Sequence, residues 1–325
     1  EIETLISNAL KLGMDNNFGY DYIKDFEERF VFKARNPIST GWSKIDDICK
    51  GGLGVGELGV VIAPTGAGKS HVLVHLGAQA LKQGKNVVHF TLELSDTAVA
   101  RRYDACLTGY NLDELNYRKE DIYEKIKEID GQLLVKEYPT KSATTTTLKN
   151  HLDKIRQTQM EVDMIVVDYG DLLRSTSTNR NNEKRHDLES IYEELRGLAQ
   201  EFGCPVITAS QTNRKGLNEE IITMESISEA FNKCFVADFI ICLSRTIRDK
   251  NANIGRLFVA KNRNGPDALI YSIFMDTGSV TIKVLEREEV ETVRREQEAS
   301  RAKKDMSNAR KIFKQMKKDE KKGEN

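Results

Sequence analysis

A run of eight residues, Ala63-Pro64-Thr65-Gly66-Ala67-Gly68-Lys69-Ser70, has the composition of a loop that binds phosphate. It follows an apolar strand pattern and precedes a helical one, the context that a P-loop requires. The two glycines let the backbone turn so that successive N–H groups face one concavity, where the helix start adds a positive dipole. Lys69 is predicted to reach the β- and γ-phosphates of a nucleotide, and Ser70 to bind Mg²⁺. The predicted nucleotide contacts are Pro64, Thr65, Gly66, Ala67, Gly68, Lys69, Ser70 and His71.

The first residue of this run departs from the pattern G-x-x-x-x-G-K-[ST], because Ala63 stands where the pattern has glycine. Alanine fits this position if its φ is negative, so the prediction of a phosphate site is kept. The alternative is a glycine-rich turn with a chance Lys-Ser pair, and the flanking strand and helix argue against it.

Polar residues at the ends of three other apolar runs are predicted to complete the site. Asp168 follows a run of four apolar residues and is interpreted as the Walker B acid that holds the metal. Its successor is Tyr169, so the carboxylate that orients the attacking water must come from elsewhere, and Glu93 at another strand end is the candidate. Gln211, after a fourth strand, is predicted to bond the γ-phosphate or the water. An acid at a helix start and a strand-end cap are the alternatives for Glu93 and Gln211.

Two further cations, Lys261 and Arg263, stand on alternate residues directly after an apolar run and before a Gly-Pro turn. In one interpretation, these side chains project from one edge of the sheet toward a phosphate group. In the other, the segment is a basic turn whose side chains are exposed to solvent. The spacing alone leaves both interpretations open.

The elements that must position these residues follow a βαβ pattern. Short apolar runs alternate with helical stretches at Ser70–Gln83, Leu148–Gln159 and Leu188–Phe202, which predicts a mainly parallel sheet with helices on its faces. The last runs follow one another closely and predict an antiparallel edge. The predicted strands are Gly59–Ala63, Val87–Leu92, Met164–Val167, Pro205–Ala209, Phe239–Leu243, Leu257–Ala260, Tyr271–Phe274 and Val280–Leu285.

Composition excludes several classes of protein. The 325 residues suffice for one large domain or two modest ones, and no apolar run is long enough to span a bilayer. The 49 basic and 50 acidic residues give a net charge of -1, so an anionic partner must be held by a local patch. The five cysteines lack C-x-x-C spacing and are interpreted as buried free thiols in a reducing compartment, which favours the cytoplasm.

The order and spacing of the motifs resemble the replicative helicases of the DnaB type, with phage relatives as the most similar members. The resemblance covers about Pro37 to Leu285, and Ala at the first P-loop position is common in that family. The motifs are Gly51-Gly52-Leu53, Gly56-Glu57-Leu58, Ala63–Ser70, Thr91–Ser95, Val167-Asp168-Tyr169, Ser210-Gln211 with Asn213-Arg214, and Lys261–Pro266.

What the resemblance implies is a RecA-like P-loop ATPase domain over 37–285 that forms a ring, usually a hexamer, around single-stranded DNA. It implies that ATP and Mg²⁺ are the cofactors, that Glu93 is the catalytic carboxylate and that Gln211 is a sensor. Lys261 and Arg263 would reach the γ-phosphate held by the neighbouring subunit, where an arginine offsets transition-state charge. Arg101 matches a family position near the nucleotide, although an arginine on a helix surface is the alternative. Residues 1–36 are interpreted as a linker helix and connector, and 286–325 as a charged, flexible tail.

Two polar segments occupy the positions from which this family contacts DNA. They carry cations and hydroxyl or amide donors that suit phosphate contacts without base reading, although ordinary surface loops remain the alternative. The predicted DNA contacts are Arg174, Arg180, Lys184, Arg185, Arg214 and Lys215.

The resemblance implies 5′ to 3′ translocation on single-stranded DNA, with primase and a helicase loader as possible further partners and the cytoplasm, that of the host for a phage protein, as the location. Two other functions share the same core. One is a recombinase of the RecA or RadA type, which forms filaments on DNA, and the other is a regulatory ring ATPase that does not depend on DNA. The linker helix, Glu93 in its Leu-Glu-Leu-Ser context, and Lys261 with Arg263 favour the helicase.

Overall fold

The computed structural model describes residues 21–24, 26–27, 35–158, 160–175, 184–212, 231–232, 234–286, 289 and 292, without the side chains of 184–186. The chain divides into two compact units, Glu1–Asn36 and Pro37–Asn325. In the first unit, the described residues form a turn in which the Asp21 carboxylate accepts bonds from the main-chain N–H groups of Ile23 and Lys24. Most of the predicted linker helix and connector, residues 1–36, lies outside the described residues, as does nearly all of the predicted tail, 286–325.

The second unit is built on one nine-stranded sheet with the order β3-β2-β4-β5-β1-β6-β7-β8-β9. Neighbours from β3 to β6 pair in parallel, and β6 to β9 pair antiparallel. The predicted mainly parallel sheet with an antiparallel edge is therefore confirmed. The strands are β1 (Leu58–Ala63), β2 (Val87–Thr91), β3 (Leu133–Glu137), β4 (Met164–Asp168), β5 (Val206–Gln211), β6 (Phe239–Ser244), β7 (Ile254–Asn262), β8 (Leu269–Asp276) and β9 (Thr281–Val284).

Helices cover both faces of this sheet. Side chains of β1 alternate between the two cores, with Val61 on one face and Val60 on the other, because successive strand residues point to opposite sides. Both faces are buried, which explains why the central strands read as continuous apolar runs. The helices are α1 (Ser43–Ile48), α2 (Lys69–Lys82), α3 (Asp96–Thr108), α4 (Lys119–Ile126), α5 (Thr145–Gln157), α6 (Lys184–Phe202) and α7 (Ile247–Asn251).

The carboxyl ends of the parallel strands define the edge at which the predicted site residues collect. The registers pair Ala63 of β1 with Gln211 of β5, and Thr91 of β2 with Asp168 of β4. Loops at this edge of an open α/β sheet are where such folds bind ligands. Within the described part of the chain, no helix has the length and apolar character needed to cross a membrane.

Candidate nucleotide site

The loop between β1 and α2 has the backbone that its glycines predict. Gly66 has φ of 70° and Gly68 has φ of 114°, both in the region that favours glycine. A Cβ at Gly68 would lie 2.2 Å from Cε of Met275 in β8, so the packing of the loop on the sheet also requires glycine there. Gly68 is the residue that precedes α2, and its carbonyl accepts the first helical bond from Val72. The N–H groups at the start of α2 thus face the loop.

Lys69 opens α2 and is buried, with 8% of its surface exposed. Its Nζ lies 5.4 Å from the centre of the Tyr169 ring, which stands at the end of β4. The P-loop lysine and the end of the Walker B strand are therefore neighbours, as the sequence predicts.

Asp168 ends β4 and is completely buried. Burial raises the pKa of its carboxyl to about 6; Glu93 also raises it, whereas Ser70, Arg102 and Lys69 lower it. The Ser70 hydroxyl is thus close enough to act on the carboxylate, yet neither Asp168 oxygen has a hydrogen bond of ordinary geometry. Two unpartnered carboxylate oxygens beside a hydroxyl form an oxygen-rich position that suits a hard divalent cation such as Mg²⁺.

Glu93 lies in the turn that follows β2. The Thr91 hydroxyl donates to the Leu94 carbonyl at 2.8 Å and accepts from the Leu94 N–H at 3.2 Å. These two bonds fix the turn that contains Glu93. The Leu92 N–H donates to the Asp168 carbonyl at 2.8 Å and joins this turn to the end of β4. Glu93 is exposed, and its charge acts on Asp168. An exposed carboxylate beside the metal position can accept a proton from a water molecule.

Gln211 ends β5 next to the P-loop strand and is exposed. Its side-chain oxygen accepts a bond from the Tyr169 hydroxyl at 3.2 Å. Burial, with Glu93, Asp171 and Asp168, raises the pKa of Tyr169 to about 12, which keeps this hydroxyl a donor. The ends of β4 and β5 are thereby bonded to one another.

Asp171 holds the ends of the same two strands together and was missed by sequence reasoning. Its carboxylate accepts bonds from the main-chain N–H of Gln211 at 3.1 Å and from the Tyr192 hydroxyl of α6 at 2.7 Å. It stands three residues after the Walker B acid, but nothing in the local pattern distinguishes it from a surface acid.

Arg101 is not brought together with the other predicted nucleotide contacts. Its guanidinium donates to Asn116 Oδ1 at 2.7 Å and to the Leu112 carbonyl at 3.0 Å. Arg102, the next residue of α3, is partly buried, and its charge interacts with those of Asp168 and Glu93. One residue along an α-helix rotates the side chain by about 100°, so only one of the two arginines can face the acids.

His71, the last predicted contact, lies in the first turn of α2 and is partly buried. Burial, together with Arg102 and Arg245, lowers its pKa to about 4, and its ring interacts with the main chain of Thr277. The neutral imidazole therefore contributes no charge to the site at neutral pH.

Lys261 and Arg263 lie at the opposite edge of the sheet from the P-loop. Asn262 of β7 pairs with Phe239 of β6, which in turn pairs with Gly59 near the start of β1. Four residues of β1 separate that level from the P-loop, a distance of about 13 Å at about 3.3 Å per residue. These two cations are therefore not part of the nucleotide site of their own chain.

Each of the two cations has a partner at that edge. Arg263 Nη1 lies 3.2 Å from Asp238 Oδ1, and Lys261 Nζ donates to the Phe235 carbonyl at 2.6 Å and lies over the Phe235 ring. The buried Asp238 carboxylate also accepts bonds from the Leu58 N–H at 3.0 Å and from Arg196 of α6. Asp238 was also missed by sequence reasoning, because its partners are far away along the chain.

Of the predicted DNA contacts, only Arg174 has a described side chain. It is exposed in the segment after β4, and its main-chain N–H donates to the Ala143 carbonyl at 2.9 Å. Lys184 and Arg185 begin α6, with side chains outside the described set, and Arg180, Arg214 and Lys215 lie outside the described residues.

The five cysteines are free thiols, four of them buried and Cys106 half-buried. Among the residues that the structure describes, no cluster of three or more His, Cys, Asp or Glu side chains forms a ready metal cage. A metal at Asp168 and Ser70 would thus need ligands from a bound phosphate chain and from water, as Mg²⁺ commonly has.

The fold is that of a RecA-like P-loop domain, and the candidate site brings together residues predicted to bind a nucleotide. The family model described as "DnaB-like helicase C terminal domain" matches residues 37–281, and the chain belongs to this family.

Two curated relatives are similar over most of this chain. A "DnaB-like replicative helicase" of Enterobacteria phage T4 is 29% identical over 258 residues, which are 75% of this chain and 54% of that protein. The "Replicative DNA helicase DnaB" of Mycoplasma genitalium is 27% identical over 289 residues, 81% of this chain and 61% of that protein. This chain thus spans between half and two thirds of their lengths.

Solved structures show the same fold. A solved ATPase domain superposes with a TM-score of 0.65 at 16% identity, over 81% of this chain and 97% of that one. A DnaB-like replicative helicase, described with its interactions with primase, gives a TM-score of 0.68 at 16% identity over 88% of this chain and 71% of that one.

Proposed function

We propose that this chain is the motor domain of a replicative DNA helicase, which hydrolyses ATP between subunits of a ring while single-stranded DNA passes through it. The observation that carries the proposal is the division of the predicted residues between the two edges of the sheet. One edge of the sheet holds Lys69, Asp168, Glu93 and Gln211. The opposite edge holds Lys261 and Arg263. Each chain would then supply a nucleotide site from one edge and complete a neighbour's site from the other.

Within one chain, each residue has a separate task. The P-loop N–H groups and Lys69 bind the β- and γ-phosphates, while Ser70 and Asp168 hold Mg²⁺. The metal would neutralise charge on the phosphates and draw the Asp168 carboxyl toward its ionised form. Glu93 orients a water molecule and takes its proton, and Gln211 contacts the γ-phosphate or that water. Arg102 replaces Arg101 in this proposal as the arginine that balances the two acids.

Loss of the hydrogen bond between the Tyr169 hydroxyl and Gln211 would allow the Gln211 side chain to respond to bound nucleotide. In the described structure the Gln211 side-chain oxygen accepts a bond from that hydroxyl, and the main-chain N–H is held by Asp171. A γ-phosphate or water bonded to the Gln211 amide would compete with Tyr169 for the same side chain. Arg214 and Lys215, which are predicted to bind DNA, follow Gln211 within four residues of the sequence, so this competition would link the two sites.

The same proposal includes the assembly of the chain into a ring and the partners of that ring. We infer a homo-oligomer, a hexamer in the first instance, with single-stranded DNA held by the cations predicted from the sequence. Those cations are Arg174, Arg180, Lys184, Arg185, Arg214 and Lys215. Primase is a proposed partner because a structurally similar helicase was described with its primase interactions, and a helicase loader is proposed from the family resemblance. The 37–285 motor, with a linker before it and a tail after it, is the proposed organisation.

The proposal is tested by the ATP hydrolysis rate of the purified chain with and without single-stranded DNA, measured across protein concentration. We expect hydrolysis to require assembly, and therefore the rate per chain to rise cooperatively with concentration and to increase with DNA. Strand displacement from a forked duplex is the second measurement. Hydrolysis that is indifferent to both DNA and concentration would contradict the proposal and favour a regulatory ATPase. Open filaments on DNA, observed by electron microscopy, would favour a recombinase.

Arg263→Ala is expected to lower hydrolysis by at least about 100-fold in uniform assemblies, because an arginine supplied in trans contributes on that order or more. Mixing it with Lys69→Ala should restore activity, since the Arg263→Ala chain keeps its nucleotide site and the Lys69→Ala chain keeps its arginine. Hydrolysis is measured across mixing ratios.

Arg118→Ala is the matched control for this experiment, because Arg118 is also an exposed arginine paired with acids, but its partners are Glu114 and Asp121 rather than Asp238. This variant should hydrolyse ATP at the normal rate, so that mixing it with Lys69→Ala has no loss to restore. If no mixture of Arg263→Ala and Lys69→Ala recovers activity, the proposed action of Arg263 on a neighbouring subunit is refuted.

A further inference from the structure

Lys250 lies beside the phosphate loop although it is distant from it in sequence. Strand β6 runs parallel to β1, with Cys242 paired with Ile62, so the carboxyl end of β6 meets the same edge as the P-loop. Helix α7 follows three residues after that end. A Cβ placed on Gly66 would lie 3.7 Å from Lys250 Nζ, which is van der Waals distance. The ammonium group therefore stands against the loop that is predicted to hold the phosphates.

The structure holds this lysine in place through its neighbours on α7. Thr246 and Asp249 form a capping box, in which the Asp249 carboxylate accepts from the Thr246 N–H and hydroxyl, each at 2.8 Å. Asp249 also pairs with Arg256 of β7 at 3.0 Å. Arg245, just before α7, donates to main-chain carbonyls of the residues that begin β7 and nearly end β8. The short helix is thus fastened to β7 and β8 on the side of the P-loop.

No acid neutralises Lys250 in the part of the chain that the structure describes. The carboxylate nearest in sequence, Asp249, is buried and is engaged by Thr246 and Arg256. Lys250 itself is half-buried, so its ammonium group is held near the loop instead of extending fully into solvent. A cation without an acidic partner, beside a loop whose N–H groups converge, increases the attraction of that loop for an anion.

We propose that Lys250 is a second lysine ligand of the bound nucleotide, contacting the phosphate chain from the solvent side of the loop, within the same subunit. The ligand class is a nucleoside di- or triphosphate. This inference rests on the proposed function and adds to it a residue that no P-loop motif contains. Lys250 differs from Lys261 and Arg263, which lie at the opposite edge, because it acts on the nucleotide of its own chain.

The test is ATP binding by the full chain in the presence of Mg²⁺, measured by isothermal titration calorimetry. Lys250→Met keeps most of the aliphatic stem and removes the charge, and we expect it to weaken ATP binding about 10-fold. The loss should shrink at high salt, because the contact is ionic. Lys250→Arg, which keeps the charge, should bind within about threefold of the original chain.

Arg248→Met is the matched control, since Arg248 is an exposed cation on the same helix and should leave ATP binding unchanged. Thermal melting without nucleotide verifies that each variant folds. Wild-type binding by Lys250→Met, alongside loss of binding by Lys69→Ala, would overturn this inference and leave the proposed function intact. Equal weakening by Lys250→Met and Arg248→Met would also overturn it, because the effect would then be one of general charge. Unchanged binding by Lys69→Ala would overturn the nucleotide site as a whole.

Discussion

Glu93→Gln is expected to bind ATP normally and to lose at least about 100-fold in hydrolysis rate. The amide is nearly the same size as the carboxylate, so the turn at 91–94 keeps its shape, but it cannot accept the proton of the attacking water. A loss of two orders of magnitude corresponds to about 3 kcal/mol of transition-state stabilisation at about 1.4 kcal/mol per factor of ten. The measurement is single-turnover hydrolysis at saturating ATP and single-stranded DNA, together with equilibrium binding of ATP.

Asp96→Asn is the matched control for this variant. Asp96 is an exposed acid three residues away, at the start of α3, where its charge complements the helix dipole. Its neutralisation removes the same charge without removing the Glu93 carboxylate, whose charge acts on Asp168. We expect hydrolysis by Asp96→Asn within about threefold of the original chain. A Glu93→Gln chain that turns over at the normal rate would show that another group orients the water.

Much of the sheet could be predicted because its central strands are buried on both faces. All six residues of β1 and of β6 are buried, and apolar runs of this kind stand out from the surrounding sequence. Strand β3 is absent from the predicted strands, because it pairs only with β2 at the edge of the sheet and because Leu134, Lys136 and Glu137 are exposed. An edge strand therefore carries less of the apolar signal.

The residues of the candidate site that could be predicted are those whose position in the fold is set by the sequence immediately around them. The P-loop is one continuous segment, Asp168 ends a strand, and Glu93 lies in the turn after another, so the βαβ pattern is sufficient to bring them to one edge. Asp238 and Lys250 gain their roles only from residues that are distant along the chain. Asp238 accepts a hydrogen bond from Leu58, 180 positions away in the sequence. Lys250 lies beside Gly66 because the parallel strands β1 and β6 end at the same edge of the sheet. No local pattern encodes such contacts.

The choice between Arg101 and Arg102 shows a different limit. Both residues lie in α3, where the sequence places two arginines side by side. The apolar positions of α3 set which side of the helix faces the core, and buried Val99 and Tyr103 leave Arg102 on the inner side. The family spacing points to Arg101, which contacts Asn116 and Leu112 in the described structure, and a step of one residue turns a helical side chain by about 100°.

Lys69→Ala is expected to weaken ATP binding by at least about 100-fold while the fold is retained. Lys69 supplies the main positive charge on the β- and γ-phosphates, and its burial means that solvent screens this charge less than that of a surface lysine. Alanine favours the helix as well as lysine does, so α2 should form normally. The measurement is ATP affinity by calorimetry, with thermal melting to verify folding.

Lys82→Ala is the control for Lys69→Ala, because it removes an exposed lysine from the last turn of the same helix. The two positions are 13 residues apart, so about 20 Å of helix separates Lys82 from the loop at 1.5 Å per residue. Over that distance, beyond the Debye length at ordinary ionic strength, removal of a surface charge should leave ATP affinity unchanged. If Lys69→Ala and Lys82→Ala bind ATP equally well, the loop does not hold the phosphates, and the roles inferred for Asp168, Glu93 and Lys250 lose their basis because each is defined by its distance from that loop.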